Sequence, residues 1–144
     1  MTNPDLIASE IVTRVMSIPG MDAALPNGVA YHTEVLGNRE QAVDAMLDNS
    51  ALMTWDGLIA ATDGDGAVYQ HDFRIYIRIQ TISFASLLTL FHDGIPSAGD
   101  GLKMIYTNIP SVAERIELAS ATPVVGKDNA DYFEIYIQIL DRQG

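Results

Sequence analysis

The sequence predicts a single α+β domain over residues 1–144, a mostly antiparallel sheet packed by an N-terminal helix and a central helix. Three observations predict it. Two segments, 73–80 and 132–140, alternate apolar and polar residues with period two. Ile7, Ile11 and Val15, with Ala8, Val12 and Met16 beside them, form an apolar stripe at helical spacing. Turn-rich junctions with few helices between the later strands favour antiparallel pairing.

Taken in order, the first helix starts at Asn3, a good N-cap, with Pro4 at the first helical position and Asp5 against the positive end of the dipole. Pro19-Gly20 stops it. Residues 29–36 alternate weakly and read as a short strand. A second helix is expected from Asn38, with Gln41 completing a capping box and Ala42, Val43, Met46 and Leu47 on its apolar side; Asp48-Asn49-Ser50 ends it. Residues 51–62 read as a strand with an irregularity at Asp56-Gly57, and residues 63–66 as a turn into the next strand.

Phe73, Ile75, Ile77 and Ile79 then alternate with Arg74, Tyr76, Arg78 and Gln80. Phe133, Ile135, Ile137 and Ile139 alternate with Glu134, Tyr136, Gln138 and Leu140. Five of the seven positions match between 73–79 and 133–139, as expected of two strands meeting one requirement in one sheet. If they are neighbours, Arg74 or Arg78 pairs with Glu134, worth ~0.2–1 kcal/mol. Between them a helix starts near Ser83, with Phe84, Leu87, Leu88 and Phe91 inward, closed by Gly94 and Pro96. Ser97 to Gly101 reads as a turn or loop, Leu102–Thr107 and 115–125 as strands, and Gly126 to Asp131 as a polar turn.

The charge is lopsided. The net charge is −11; residues 1–72 hold eleven acids and two bases, and residues 73–144 hold eight acids and six bases. Gripping nucleic acid or anionic lipid needs clustered Lys and Arg, and the chain has no such cluster. No apolar run approaches ~18 residues, so no membrane span is expected, and no basic-then-apolar leader is visible. With no cysteine there is no disulfide, thiol nucleophile or thiolate metal site.

No catalytic, metal or cofactor site is legible. His32, His71 and His92 lie far apart, and His71-Asp72, as strand neighbours, point to opposite faces. His92 falls near the negative end of its helix. Asp63, Asp65 and Gly66 begin like a calcium loop, but the glycine comes at the fourth position and Arg74 stands at the twelfth, so turn chemistry accounts for them. No nucleophile elbow, Walker loop or dinucleotide fingerprint occurs. The polar-aromatic face of Arg74, Tyr76, Arg78, Tyr132, Glu134 and Tyr136 fits two readings: a contact surface, or a solvated face with ordinary cross-strand pairs.

Several elements together carry a family resemblance. The amphipathic helix ends in Pro19-Gly20, and a strand at His71–Gln80 runs directly into the Ser83–His92 helix. A β-rich C-terminal half closes on Tyr132–Leu140. In this order the chain resembles the tail terminator (tail completion) proteins of long-tailed bacteriophages. The resemblance spans nearly the whole chain through element order, with no diagnostic motif, and the helix after Asn38 departs from the family pattern.

The resemblance implies a non-enzymatic virion protein, without cofactor or membrane, at the head–tail junction and in the host cytoplasm during assembly. Copies of the chain would form a ring, a hexamer in the family, on the head-proximal end of the tail tube. The ring would stop polymerisation of the major tail tube protein and receive the head–tail connector protein, and DNA would pass through its lumen without specific binding. Strands 72–80 and 132–140 would build the ring body, with Arg74, Tyr76, Arg78, Glu134 and Tyr136 as interface candidates. Loops 63–66 and 97–101, with Asp63, Asp65 and Asp100, would face tube, connector or lumen. Two alternatives are another head–tail joining protein, such as a head-closure or adaptor protein, and a small-molecule-binding α+β domain or enzyme.

Overall fold

The computed structural model describes residues 3–32, 39–63, 66–92, 113–125 and 131–142. Its helices are α1 (Pro4–Met16), α2 (Met21–Ala24), α3 (Arg39–Asp44) and α4 (Phe84–His92). Its strands are β1 (Val29–His32), β2 (Ser50–Asp63), β3 (Gly66–Arg78), β4 (Ala113–Val125) and β5 (Asp131–Arg142). The strands form one sheet in the order β1-β2-β3-β5-β4, antiparallel throughout except for β1, which runs parallel to β2. The expected α+β class and mostly antiparallel sheet are what the chain forms.

Each end of α1 follows from its residues. Asn3 Oδ1 accepts from Asp5 N at 2.8 Å, and Pro4 has no backbone N–H that would need a partner. Ile7, Ala8, Ile11 and Val15 are buried. The chain turns at Gly20, whose φ of +89° suits a residue without Cβ, and enters α2. That one-turn helix is too short to give a readable period, yet it buries Met21 and Ala24, with Leu25 following.

The core lies on one face of the sheet. Ala51 and Met53 of β2, Phe73, Ile75 and Ile77 of β3, and Ile135, Ile137 and Ile139 of β5 meet the buried side chains of α1 and α2 and Leu87 and Phe91 of α4. Period-two alternation in the strands and 3.6-residue spacing in the helices put these side chains in one layer. Helix α4 begins where Ser83 Oγ accepts from Ser86 N at 3.1 Å, and Phe84 stacks on Phe133 of β5 with ring centroids 3.7 Å apart. Thr81 Oγ1 donates to Ala24 O, tying the β3–α4 link to α2.

One expectation needs adjustment, and several others fall outside the described residues. The second helix ends at Asp44, not Asp48; Ala45 and Met46 close it through bonds to Gln41 O and Val43 O, and Leu47 is exposed rather than on an apolar side. Its expected cap, Asn38, lies outside the described residues. The first strand is described only over Val29–His32, with residues 33–36 outside. Residues 93–112, which include the expected strand Leu102–Thr107 and the loop with Asp100, also lie outside, as do Asp65 and residues 126–130. The irregularity at Asp56-Gly57 is present: β2 shifts register between Trp55 and Leu58, and Gly57 has φ +109°.

Candidate functional site

The second sheet face is where the sequence concentrates charge and aromatic rings. Strands β3 and β5 are neighbours, with Arg74 opposite Tyr136 and Tyr76 opposite Glu134. Arg74 therefore reaches Glu134 diagonally, Nη1 to Oε1 at 3.6 Å, and is the one of the two expected arginines that makes the cross-strand pair. From the other side β2 supplies Asp56, whose Oδ2 lies 3.2 Å from Arg74 Nε. Thr54 Oγ1 donates to Asp56 Oδ1 at 2.9 Å and orients that carboxylate.

The guanidinium also lies over an aromatic face. Its Cζ is 4.3 Å from the Tyr136 ring centroid, a distance at which the ring quadrupole attracts the cation. Tyr76 sits farther off, at 5.8 Å, and its hydroxyl oxygen accepts from Arg74 Nη1 at 3.4 Å. Tyr76 meets Tyr132 edge to face, centroids 5.7 Å apart. Burial raises the pKa of the Tyr132 phenol, and the Glu134 carboxylate adds to that rise. One cation thus joins β2, β3 and β5 through two carboxylates and a ring, and the three charged groups together carry a net negative charge.

Two expected interface residues are placed differently. Tyr76 is 3% exposed, so it supports this face from beneath rather than presenting a surface. Arg78 turns toward the segment around α3, donating from Nη1 to Met46 O at 2.9 Å and from Nη2 to Asp44 O at 3.4 Å. Those carbonyls lie at and just past the end of α3, where helical partners are lacking. Helix α3 therefore sits at one end of the second face, held by a residue read as a contact residue. Arg74, Glu134 and Tyr136 remain part-exposed, beside exposed Ser120 and Thr122 on β4. Asp63 ends β2, paired with Gly66; Asp65 and Asp100 lie outside the described residues.

Two participants were missed in the sequence. Asp56 reads only as a bulge residue, because a long-range ion pair leaves no local pattern. His71 reads only as a strand residue; the fold brings Trp55 Nε1 to within 3.3 Å of its Nδ1 across the same bulge. Among the described residues, no three His, Asp or Glu side chains converge as a metal site would need, and no helix is long and apolar enough to cross a membrane. The sequence matches no protein-family model and no curated protein.

Proposed function

We propose that this chain is a tail terminator of a long-tailed bacteriophage, a structural protein that closes as a ring on the head-proximal end of the tail tube. The observation that carries this reading is the one-sided sheet. Helices α1, α2 and α4 bury one face, and the other face offers a part-exposed patch of charged, aromatic and small polar side chains. Such a patch has the composition of a contact surface, and a patch that meets a different surface on the next copy closes a ring by rotation. The element order described above and the net charge of −11 also support it.

Acidity gives the ring a physical logic. Like-charged subunits repel over about a Debye length, so free copies stay apart until a tube end holds them together. A negative lumen would let DNA pass without being gripped.

Native mass spectrometry of the purified chain tests this. A hexamer that forms more readily as salt screens the repulsion is expected. A bulky Ser120→Trp change, at an exposed site opposite Tyr136, should leave a folded monomer that no longer closes. A monomer or dimer at every ionic strength, even with tube ends supplied, would count against the ring.

A further inference from the structure

The β2–β3 hairpin is divided by its bulge. Between the pairs Trp55↔Phe73 and Leu58↔His71, β2 carries two residues against the single Asp72 of β3. On the inner side of this point Ala51 and Met53 are buried in the core; on the outer side Ile59 is 62% exposed. On the core face a side-chain bond spans the bulge, while on the other face Asp56 of the bulge pairs with Arg74 of β3. Trp55 Nε1 donates to His71 Nδ1 at 3.3 Å, with ring centroids 6.4 Å apart. His71 is fully buried and stacks toward Phe73.

This bond fixes the state of the imidazole. An indole nitrogen only donates, so Nδ1 is the bare nitrogen and the ring proton is on Nε2. A second proton can enter only at Nδ1, the atom that holds Trp55. Whatever Nε2–H contacts, protonation ends the bond and sets two donors against each other.

Among the described residues, ionisable groups on the neighbouring elements are placed as follows. Asp72 of β3 and Asp56 of β2 belong to the opposite face, where Asp56 is held by Arg74 and Asp72 accepts from Gln70. On β5 the residue directly opposite is Ile139, and Asp141 pairs with Tyr69 one residue pair outward of Gln70 and Leu140. Tyr31 of β1 and Asp5 of α1 are bonded to each other. Among the described residues, the buried polar side chains are Ser50, Thr54 and His71, and none comes from a helix.

We propose that the Trp55–His71 bond is a proton-released latch. At neutral pH it ties β2 to β3 across the bulge; acidification frees the outer half of β2, Leu58–Asp63, while the inner sheet stays folded. Strand β5 keeps Val68, Tyr69 and Gln70 paired, so the freed segment is β2 and not the whole hairpin. The latch is independent of the ring reading.

Trp55 is the only tryptophan, so its emission reports the bond directly. Lowering the pH from about 8 to about 5 should change Trp55 emission in one proton-linked step. Over the same step, amide exchange at Leu58–Asp63, corrected for intrinsic chemistry, should rise about tenfold or more while Ile75–Ile77 and Ile135–Ile139 stay protected. His71→Gln, which can still accept from the indole but cannot be protonated in this range, should hold both readings flat. If that variant fails to fold, nitrogen chemical shifts of the wild-type imidazole decide: an unprotonated Nδ1 at pH about 8 is expected. A protonated Nδ1 there, flat wild-type emission, the same step in a folded His71→Gln, or simultaneous loss of protection across the inner sheet would each overturn the latch.

Discussion

Replacing Arg74 with methionine keeps most of the stem and removes the charge that joins three strands. Fully exposed ion pairs contribute ~0–1 kcal/mol, whereas breaking a buried one costs about 3–5 kcal/mol. The side chains here are 24% (Arg74), 13% (Asp56) and 19% (Glu134) exposed, close to the buried limit. Two carboxylates would be left without their shared cation, and Tyr136 would lose its charged partner. We expect a loss of about 2–3 kcal/mol, a fall in Tm of ~6–10 °C for a domain of this size. Urea unfolding followed by circular dichroism measures it. A cycle with Glu134→Gln should return a coupling of ~1 kcal/mol or more. Because the cluster is largely shielded, the loss should change little between ~0.05 and ~0.5 M salt. A loss below ~0.5 kcal/mol, or one that vanishes with salt, would mean that Arg74 is an ordinary solvated side chain.

Phe73→Ala empties a fully buried site at the centre of the sheet and should cost ~3–5 kcal/mol by chemical denaturation. Gly57→Ala should cost ~1–2 kcal/mol from backbone strain alone, since a Cβ there meets nothing within 4 Å but φ is +109°; a neutral result in the same assay would contradict the bulge geometry. The Tyr31 phenol has its pKa pushed up to about 12, first by burial and then by its hydrogen bond to Asp5. A group raised in the folded state gives its full stabilisation below its unfolded value of about 10 and loses it as the pH climbs toward 12. Stability should therefore fall over that window, and Tyr31→Phe should flatten the fall.

The parts of the fold that were legible are those written in local periods. The stripe Ile7–Ile11–Val15 and the alternation of 73–79 and 133–139 each express one residue spacing, and each formed the expected element with the expected buried side. Even the β2 irregularity was readable, because Asp-Gly within an apolar run rarely continues a flat strand. Helix α2 was not, since four residues are too few for a period and its burial is set by contacts distant in sequence. The parallel β1–β2 pairing was equally hidden, because partner choice for a four-residue strand is a tertiary matter.

At the site, residue types were visible but their engagements were not. Alternation aligns the two strands and offers Arg74 or Arg78 as the partner of Glu134; the structure pairs Arg74. Asp56 reaches the same guanidinium from β2, with Thr54 bonded to its carboxylate, a link no spacing rule describes. Arg78 looked equivalent to Arg74 in the sequence, yet it donates to the carbonyls of Asp44 and Met46 at the end of α3. Strand alternation tells which face a side chain is on; it does not tell what the rest of the chain brings to that face.

Electron microscopy of phage particles assembled without this chain is the most direct test of the proposed terminator role. Tubes of unregulated length, separate from heads, are expected, with normal tails restored when the chain is supplied. Tails of the usual length joined to heads in its absence would contradict the proposed role.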